Sequence, residues 1–403
     1  MMSTLKNLKR IGLVCFFCAI QLNPLTLCAA DIQTLPEPTL VIPAPPQIDA
    51  TSYILIDQAS DYIIAEQNVD QRLEPASLTK MMTVYVVDHA LQKGKLKPND
   101  NVQISEKAWK TAGSKMFVAV NTTVPVSELM RGIIVQSGND ASIAIAEHLA
   151  GSESAFAELM NFYAKQLGMV NTHFVNATGL PDENHYTSAR DMAILAKALI
   201  RDFPESYKLY SEKEFVYQNI KQENRNRLLW KNELVDGIKT GFTDAAGYCL
   251  VASGKKDNMR LISVVMGTKS DNARTEESNK LLSYGFRFYE TRQLFQAGKP
   301  LKTSRIWMGT QNEINLGLGE DLYITIGQGQ YEHVKTAIKI NTTIKAPTHP
   351  GEAVGTLAVE FNNKPLIERP IIALNEVKQG GFLSRIYDTV ALNFHTMLNK
   401  FMP

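Results

Sequence analysis

Apolar residues follow two different patterns along the chain, and the change comes near residue 299. In the first part, apolar residues recur every three or four positions and predict successive helices over 78–91, 127–134, 141–149, 155–167 and 189–200. Runs of β-branched and aromatic residues predict a hairpin and later strands, followed by a helix: 52–57, 62–66, 235–238, 248–253, 261–266 and 273–289. This mixture predicts an α+β domain.

Past residue 299, short β-branched runs separated by turns replace the helical spacing. The predicted strands are 305–308, 313–316, 322–326, 336–344, 353–361 and 366–373. Six short strands without helices between them predict a small all-β sandwich domain. After Gly380-Gly381, helical spacing returns, and one apolar stripe is formed by Phe382, Leu383, Ile386, Val390, Phe394, Met397, Leu398 and Phe401.

The N-terminus has the features of a secretory signal peptide. Basic residues precede an apolar run over 11–20, and small residues at Cys28-Ala29-Ala30 predict cleavage after Ala30. The next residues contain five prolines, which predict an extended lead-in. We therefore expect an exported protein with five parts: signal peptide 1–30, lead-in 31–50, first domain 51–298, β domain 299–379 and amphipathic helix 380–403.

Composition and charge exclude several classes of protein. A hydrophobic fraction of 44% excludes a chain that is disordered throughout. The formal charge of +1 is spread evenly, which argues against nucleic-acid binding. Three of the four cysteines lie in the predicted signal peptide, so Cys249 alone remains and no disulfide framework is expected. The seven histidines are scattered without a metal-binding pattern, and we expect neither a metal nor a cofactor.

The strongest chemical signal is an ordered set of three short motifs. Ser77-Leu78-Thr79-Lys80 places a serine and a lysine three residues apart at the start of a predicted helix, on one face. By itself this pattern also fits an ordinary helix cap. Ser137-Gly138-Asn139 follows between two predicted helices, and Lys239-Thr240-Gly241 continues the strand predicted at 235–238, after the turn at Asp236-Gly237. The three motifs in this order favour nucleophilic catalysis by Ser77.

On these motifs the chain resembles the penicillin-recognising serine acyl transferases, and most closely the low-molecular-mass penicillin-binding proteins of the D-alanyl-D-alanine carboxypeptidase family, in the penicillin-binding protein 5 and 6 group. The resemblance extends to other segments: Ile54-Leu55-Ile56-Asp57, Glu74 to Thr83, Gln136 to Ala141, Asn224-Arg225-Asn226, Leu228-Leu229-Trp230 and Val235 to Gly241. It implies a catalytic domain with an antiparallel sheet and a helix cluster. It also implies a peptidoglycan pentapeptide ending in D-Ala-D-Ala as substrate and acylation by β-lactam antibiotics.

The resemblance also implies a role for each site residue. Ser77 is the nucleophile, and Lys80 is the base, which requires a pKa lowered by burial and by the cation Lys239. Ser137 relays a proton toward the leaving amine, and Asn139 orients Lys80 and the substrate amide. The backbone N–H groups of Ser77 and Phe242 form the oxyanion hole. Gly241 allows the substrate backbone to approach the strand edge. The terminal carboxylate of the peptide is held by Thr240, Lys239 and Arg225.

Two features depart from the family pattern. Phe242 stands where close relatives often have histidine, and the segment 111–125 looks shorter than in the best-known members of the family.

Three alternative functions stay open. A β-lactamase needs a deacylating glutamate in a Glu-x-x-Leu-Asn context, and this pattern is absent from the sequence. The nearest acid, Glu183, is interpreted as a turn residue. A D,D-endopeptidase differs only in its leaving group. A non-catalytic envelope scaffold is the alternative of another class.

The amphipathic tail is interpreted with the help of the same resemblance. A helix of this kind in an arbitrary protein packs on its own domain. The resembled family uses the position as a membrane anchor, and the segment is too polar to span a bilayer. We therefore expect a peripheral protein on the periplasmic side of the inner membrane. Arg385 and Lys400 against Asp388 leave little net charge, so apolar insertion should dominate attachment.

Overall fold

The computed structural model describes residues 41–340 and 343–401. The predicted signal peptide and the first ten residues of the predicted lead-in lie outside this range. Residues 41–49 have no regular secondary structure, as the prolines in this segment predict.

Nine of the described helices lie in the first domain, and α10 follows the β domain. They are α1 (Lys80–Gln92), α2 (Glu106–Lys110), α3 (Val126–Arg131), α4 (Asn139–Ala150), α5 (Glu153–Leu167), α6 (Ala189–Asp202), α7 (Pro204–Tyr207), α8 (Leu228–Lys231), α9 (Asp271–Phe288) and α10 (Phe382–Phe401). All the helices that the periodicity predicts are present. The short helices α2, α7 and α8 were not predicted, because four or five residues show no period.

The strands are β1 (Ser52–Asp57), β2 (Ile63–Gln67), β3 (Asn101–Gln103), β4 (Thr123–Pro125), β5 (Glu214–Tyr217), β6 (Ile220–Glu223), β7 (Val235–Thr243), β8 (Gly247–Lys256), β9 (Met259–Thr268), β10 (Tyr289–Phe295), β11 (Lys302–Arg305), β12 (Glu313–Gly317), β13 (Leu322–Gly327), β14 (Val334–Ile340), β15 (Ala353–Phe361) and β16 (Lys364–Ala373). The predicted hairpin at 52–66 is β1–β2. Five of the six strands predicted past residue 299 are present with shifted bounds, whereas the one predicted at 305–308 is replaced by β11, which ends at Arg305. The predicted α+β class is confirmed.

A five-stranded antiparallel sheet organises the first domain, in the order β2-β1-β9-β8-β7. Side chains alternate between its two faces, as the period of a strand requires. On β1, Ile54 and Ile56 join the core beneath the helical layer, whereas Tyr53 and Leu55 join the core beneath α9. The order leaves β7 at one edge of the sheet, and β7 carries the third motif.

The β domain is built on a second five-stranded sheet, in the order β11-β12-β16-β15-β14. Strand β10 pairs with β13, so the chain enters β pairing at Tyr289, earlier than the expected boundary at 299. The helix predicted over 273–289 matches α9, whereas β10 was not predicted. The core of this domain contains Ile314, Leu316, Leu357 and Ile371.

The C-terminal segment forms the predicted helix α10. Among the described residues, we find no helix whose length and apolar content suffice to cross a bilayer.

Candidate active site

A cleft of about 1060 Å³ lies along the edge of the first domain's sheet, beside β7. Seven of the nine predicted site residues line it: Ser77, Ser137, Asn139, Arg225, Thr240, Gly241 and Phe242. The other two, Lys80 and Lys239, are buried directly behind the lining residues. Residues that are far apart in the sequence are therefore brought to one place.

Ser77 lies in a 3-10 turn, Ala76–Thr79, immediately before α1. The backbone of Ala76 has a positive φ of 46°, which is uncommon for a residue with a side chain. Two glycines make room for this turn. A Cβ on Gly179 would lie 1.8 Å from the Ala76 carbonyl oxygen, and one on Gly241 would lie 2.9 Å from that of Pro75. The position of the serine therefore depends on close backbone contacts that the sequence did not reveal.

Lys80 is the first residue of α1, and its amine is completely buried. Its Nζ donates to Ser77 Oγ at 3.0 Å, to Asn139 Oδ1 at 2.6 Å and to the Thr178 carbonyl at 2.6 Å. Burial and the nearby Arg225 guanidinium lower the pKa of Lys80 to about 7. A large share of the amine is therefore neutral at neutral pH, as a general base requires.

The second motif follows a π turn, Gly132–Gln136, which ends at Ser137 with a left-handed φ of 65°. Ser137 Oγ is buried and has no hydrogen-bond partner among the described residues. Two residues further, Asn139 begins α4 and joins two elements, because its Oδ1 accepts from Lys80 and its Nδ2 donates to the Ala112 carbonyl. The free hydroxyl of Ser137 is available to a bound molecule.

Asp140 fixes the loop that borders the cleft beside Asn139. Its carboxylate accepts hydrogen bonds from the backbone N–H groups of Met116, Phe117 and Val118, at 2.9 to 3.2 Å. Asp140 directly follows the second motif, but no pattern in the sequence assigns this role to it.

The third motif lies on β7. Lys239 Nζ donates to the Thr240 carbonyl at 3.1 Å. Burial, with Lys80, Arg225 and Arg274 nearby, holds the pKa of Lys239 well below its ordinary value. Phe242 is half exposed, and its ring lies 4.3 Å from that of Tyr248, measured between centroids.

Positive charge accumulates at one end of the cleft. Arg225 makes no ion pair within the part of the chain that the structure describes. Arg274 donates to the Gly241 carbonyl at 2.9 Å and pairs with Asp271, which also pairs with Arg227 at 2.8 Å. This end suits an anionic group, and Arg225 is the arginine lining it that forms no ion pair with a described carboxylate.

His185 is the buried histidine of this region. Its Nε2 lies 2.8 Å from Thr79 Oγ1, and burial lowers its pKa to about 4, so the ring is neutral at physiological pH. Over residues 41–340 and 343–401, no cluster of three or more His, Cys, Asp or Glu side chains is arranged to hold a metal ion.

Comparisons with known proteins give matches to both parts of the chain. A profile of the family described as D-alanyl-D-alanine carboxypeptidase matches residues 39–270, and one described as the C-terminal domain of penicillin-binding protein 5 matches residues 289–379. D-alanyl-D-alanine carboxypeptidase DacA of Escherichia coli K12 is 45% identical over 396 residues, which cover 96% of this chain and 97% of that protein. DacC of the same organism is 46% identical over 358 residues, covering 87% of this chain and 90% of that protein.

A similar structure has been solved for penicillin-binding protein 5 from Haemophilus influenzae. It shares 46% sequence identity with this chain at a TM-score of 0.81, and the match covers 84% of this chain and 100% of the solved one. The similarity therefore extends over both domains.

Proposed function

This chain belongs to the D-alanyl-D-alanine carboxypeptidase family, and we propose that it removes the terminal D-alanine of peptidoglycan pentapeptides through an acyl-enzyme at Ser77. It is a serine-type carboxypeptidase. The observation that carries the assignment of the nucleophile is the 3.0 Å contact of Ser77 Oγ with a buried lysine whose pKa is about 7.

In the proposed acylation, neutral Lys80 takes the proton of Ser77, and Oγ attacks the carbonyl carbon of the penultimate D-alanine. The C–N bond to the terminal D-alanine then breaks, and the leaving amine receives a proton through Ser137. The unpartnered, buried hydroxyl of Ser137 supports this relay. Asn139 keeps Lys80 in place and remains close to the substrate amide. Water completes the cycle by hydrolysing the ester.

Substrate binding is assigned to the edge strand and to the cationic end of the cleft. We assign the backbone N–H groups of Ser77 and Phe242 to the oxyanion hole. Thr240, Lys239 and Arg225 hold the terminal carboxylate, and the position of Arg225 on the cleft wall without a direct ion pair to a described residue supports this assignment. A bound carboxylate favours the charged form of Lys239 and so opposes the effect of burial on its pKa. Gly241 leaves space for the substrate backbone at the strand edge.

We propose that β-lactams acylate the same serine and are released slowly. The carboxylates that line the cleft are Glu223 and Asp271, and Asp271 is held by two arginines. Glu183, the nearest acid to the missing pattern and interpreted from the sequence as a turn residue, does not line the cleft. This arrangement favours a carboxypeptidase inhibited by penicillin over a β-lactamase.

Release of D-alanine tests the proposed peptidase mechanism. The wild-type protein should liberate D-alanine from a peptide ending in D-Ala-D-Ala, and Ser77→Ala should not, while retaining its circular dichroism spectrum and melting temperature. A Ser77→Ala variant that still released D-alanine would overturn the assignment of the nucleophile.

We further propose that residues 1–30 direct export with cleavage after Ala30, and that α10 attaches the enzyme to the periplasmic face of the inner membrane. Exposed Phe382, Leu383 and Val390 support an interfacial helix. Deleting 381–403 should give a protein that fractionates with the soluble periplasm and retains activity on small peptides. A truncated chain that stayed with the membrane, or a full-length chain released by salt alone, would contradict the apolar anchor.

A further inference from the structure

Helix α10 exposes a row of large apolar side chains that its own protein does not cover. Leu383 is 80% exposed and Phe382 is 74% exposed. Others continue the row along the described part of the helix: Ile386, Tyr387, Val390 and Phe394. A helix joined to a β domain would be expected to bury such a face against it. A specific contact must therefore keep this apolar face of α10 from packing against the β domain.

Among the side chains of this helix that the structure describes, up to residue 394, Asp388 is the exception, because it is 5% exposed. Its Oδ2 accepts a hydrogen bond from the Met308 N–H at 2.6 Å, and its Oδ1 accepts one from Arg305 Nη2 at 3.3 Å. The Arg305 guanidinium in turn lies 4.0 Å from the centroid of the Trp307 ring. One carboxylate therefore binds both a backbone donor and a charged donor of the β domain.

The segment before α10 is also held to the β domain by backbone hydrogen bonds. Thr310 N donates to the Lys378 carbonyl at 2.9 Å, and Gly380 N donates to the Met308 carbonyl at 2.8 Å. The segment 308–310 therefore forms hydrogen bonds with residues just before α10, and the Met308 N–H also binds Asp388 within the helix. Two successive glycines, Gly380-Gly381, would by themselves make this connection flexible, but hydrogen bonds hold the chain on both sides of the pair.

The two features are related by helical geometry. Successive residues turn about 100° around a helix axis, so Ile386 and Val390, two positions before and after Asp388, point about 160° away from it. By the same turn, Leu383 and Phe394 lie more than about 110° from Asp388. The apolar stripe is thus centred opposite the carboxylate that binds the β domain.

We propose that Asp388 is an orientation latch, which fixes α10 on the β domain with its apolar stripe turned outward to the membrane. The inference rests on the proposed membrane anchor and adds to it the residue that decides which face of the helix meets lipid. A carboxylate between a charged donor and a backbone donor is well suited to this, because charge-assisted hydrogen bonds are stronger and shorter than neutral ones. The latch gives the cleft a defined orientation above the membrane.

Hydrogen exchange tests the latch in the full-length protein without reference to lipid. The Met308 amide should exchange slowly in the wild type and at least tenfold faster in Asp388→Ala. Asp388→Asn keeps an oxygen acceptor and should give an intermediate rate. Thr389→Ala is the matched control, because Thr389 is exposed and its side chain bonds only within the helix, to the Arg385 carbonyl. Wild-type exchange at Met308 in Asp388→Ala would overturn the proposal.

Vesicles of phosphatidylethanolamine and phosphatidylglycerol test its functional part. Asp388→Ala should hydrolyse a free D-Ala-D-Ala peptide at the wild-type rate but a lipid-tethered one at least fivefold more slowly, and Thr389→Ala should match the wild type on both. Equal rates of Asp388→Ala and wild type on the tethered peptide would overturn the orienting role. A wild type that did not bind the vesicles would instead overturn the anchor, while the exchange data would still report on the latch.

Discussion

The low pKa of Lys80 gives a quantitative prediction for the pH dependence of acylation. At its ordinary pKa of 10.5, about one lysine amine in 3,000 is neutral at pH 7, whereas at a pKa of about 7 half of the amines are neutral. This difference corresponds to about 5 kcal/mol of destabilisation of the charged form. Burial and the charge of Arg225 together favour the neutral form of Lys80, which can accept a proton.

The wild type should therefore show an acid limb with its midpoint near pH 7 in the second-order rate constant for acylation by a penicillin. The rate should rise about tenfold between pH 5 and pH 6 and less than about twofold between pH 7 and pH 8, because the neutral fraction follows a single titration. Stopped-flow measurement with a reporter β-lactam gives this profile directly.

Substitution of the nearby cation tests the electrostatic cause. Arg225→Gln removes the charge that lowers the pKa of Lys80, so the midpoint of the limb should move to higher pH. The plateau should also fall if Arg225 binds the carboxylate, but the midpoint is measured independently of the plateau. Arg227→Gln is the matched control, because Arg227 lines the same cleft and is already paired with Asp271.

Two results would refute this reasoning. An acid limb near pH 9 or above in the wild type would mean that Lys80 is charged when acylation occurs at neutral pH. Equal midpoints for the Arg225→Gln and Arg227→Gln variants would mean that the charge of Arg225 does not act on the base.

Three further predictions concern single residues. Lys80→Arg should lose acylation although the charge is kept, because a guanidinium does not give up its proton at working pH, and a near-native acylation rate would remove Lys80 from the base role. Thr240→Ala should lower kcat/KM about tenfold for peptides with a free terminal carboxylate and less for the corresponding amides, whereas equal losses would count against carboxylate binding. Gly179→Ala should slow acylation and lower the melting temperature much more than Gly168→Ala. Both glycines have φ near 80°, but Gly179 alone of the two lies against the Ala76 carbonyl. Similar effects of the two substitutions would show that backbone strain, and not the contact with Ala76, determines the loss.

The sequence allowed the long helices, most strands and the three motifs to be predicted, because amphipathic periods and short linear patterns are local. The conformation of Ser77 was not predictable in this way. Its 3-10 turn and the positive φ of Ala76 exist because Gly179 and Gly241 pack against the turn, and these contacts join residues more than a hundred positions apart. The helix predicted over 127–134 includes the first three residues of the π turn at Gly132–Gln136, since one wide turn does not alter the apolar period.

The electrostatics of the site were predicted in part. Burial of Lys80 is confirmed as the main cause of its lowered pKa. The expected cation was Lys239, whereas Arg225 is the cation that adds to the effect of burial on Lys80. Arg225 belongs to a segment between β6 and α8 that has little regular structure, so its distance from Lys80 is set by tertiary packing alone. The same is true of the Thr178 carbonyl, which a sequence motif of side chains does not identify.

Intact-protein mass spectrometry after reaction with penicillin tests the central claim most directly. The wild type should gain the mass of one penicillin, and peptide mapping should place the addition on the fragment that contains Ser77, while Ser77→Ala should gain nothing. An adduct of the same mass on Ser77→Ala, or one mapped to another residue in the wild type, would contradict the account.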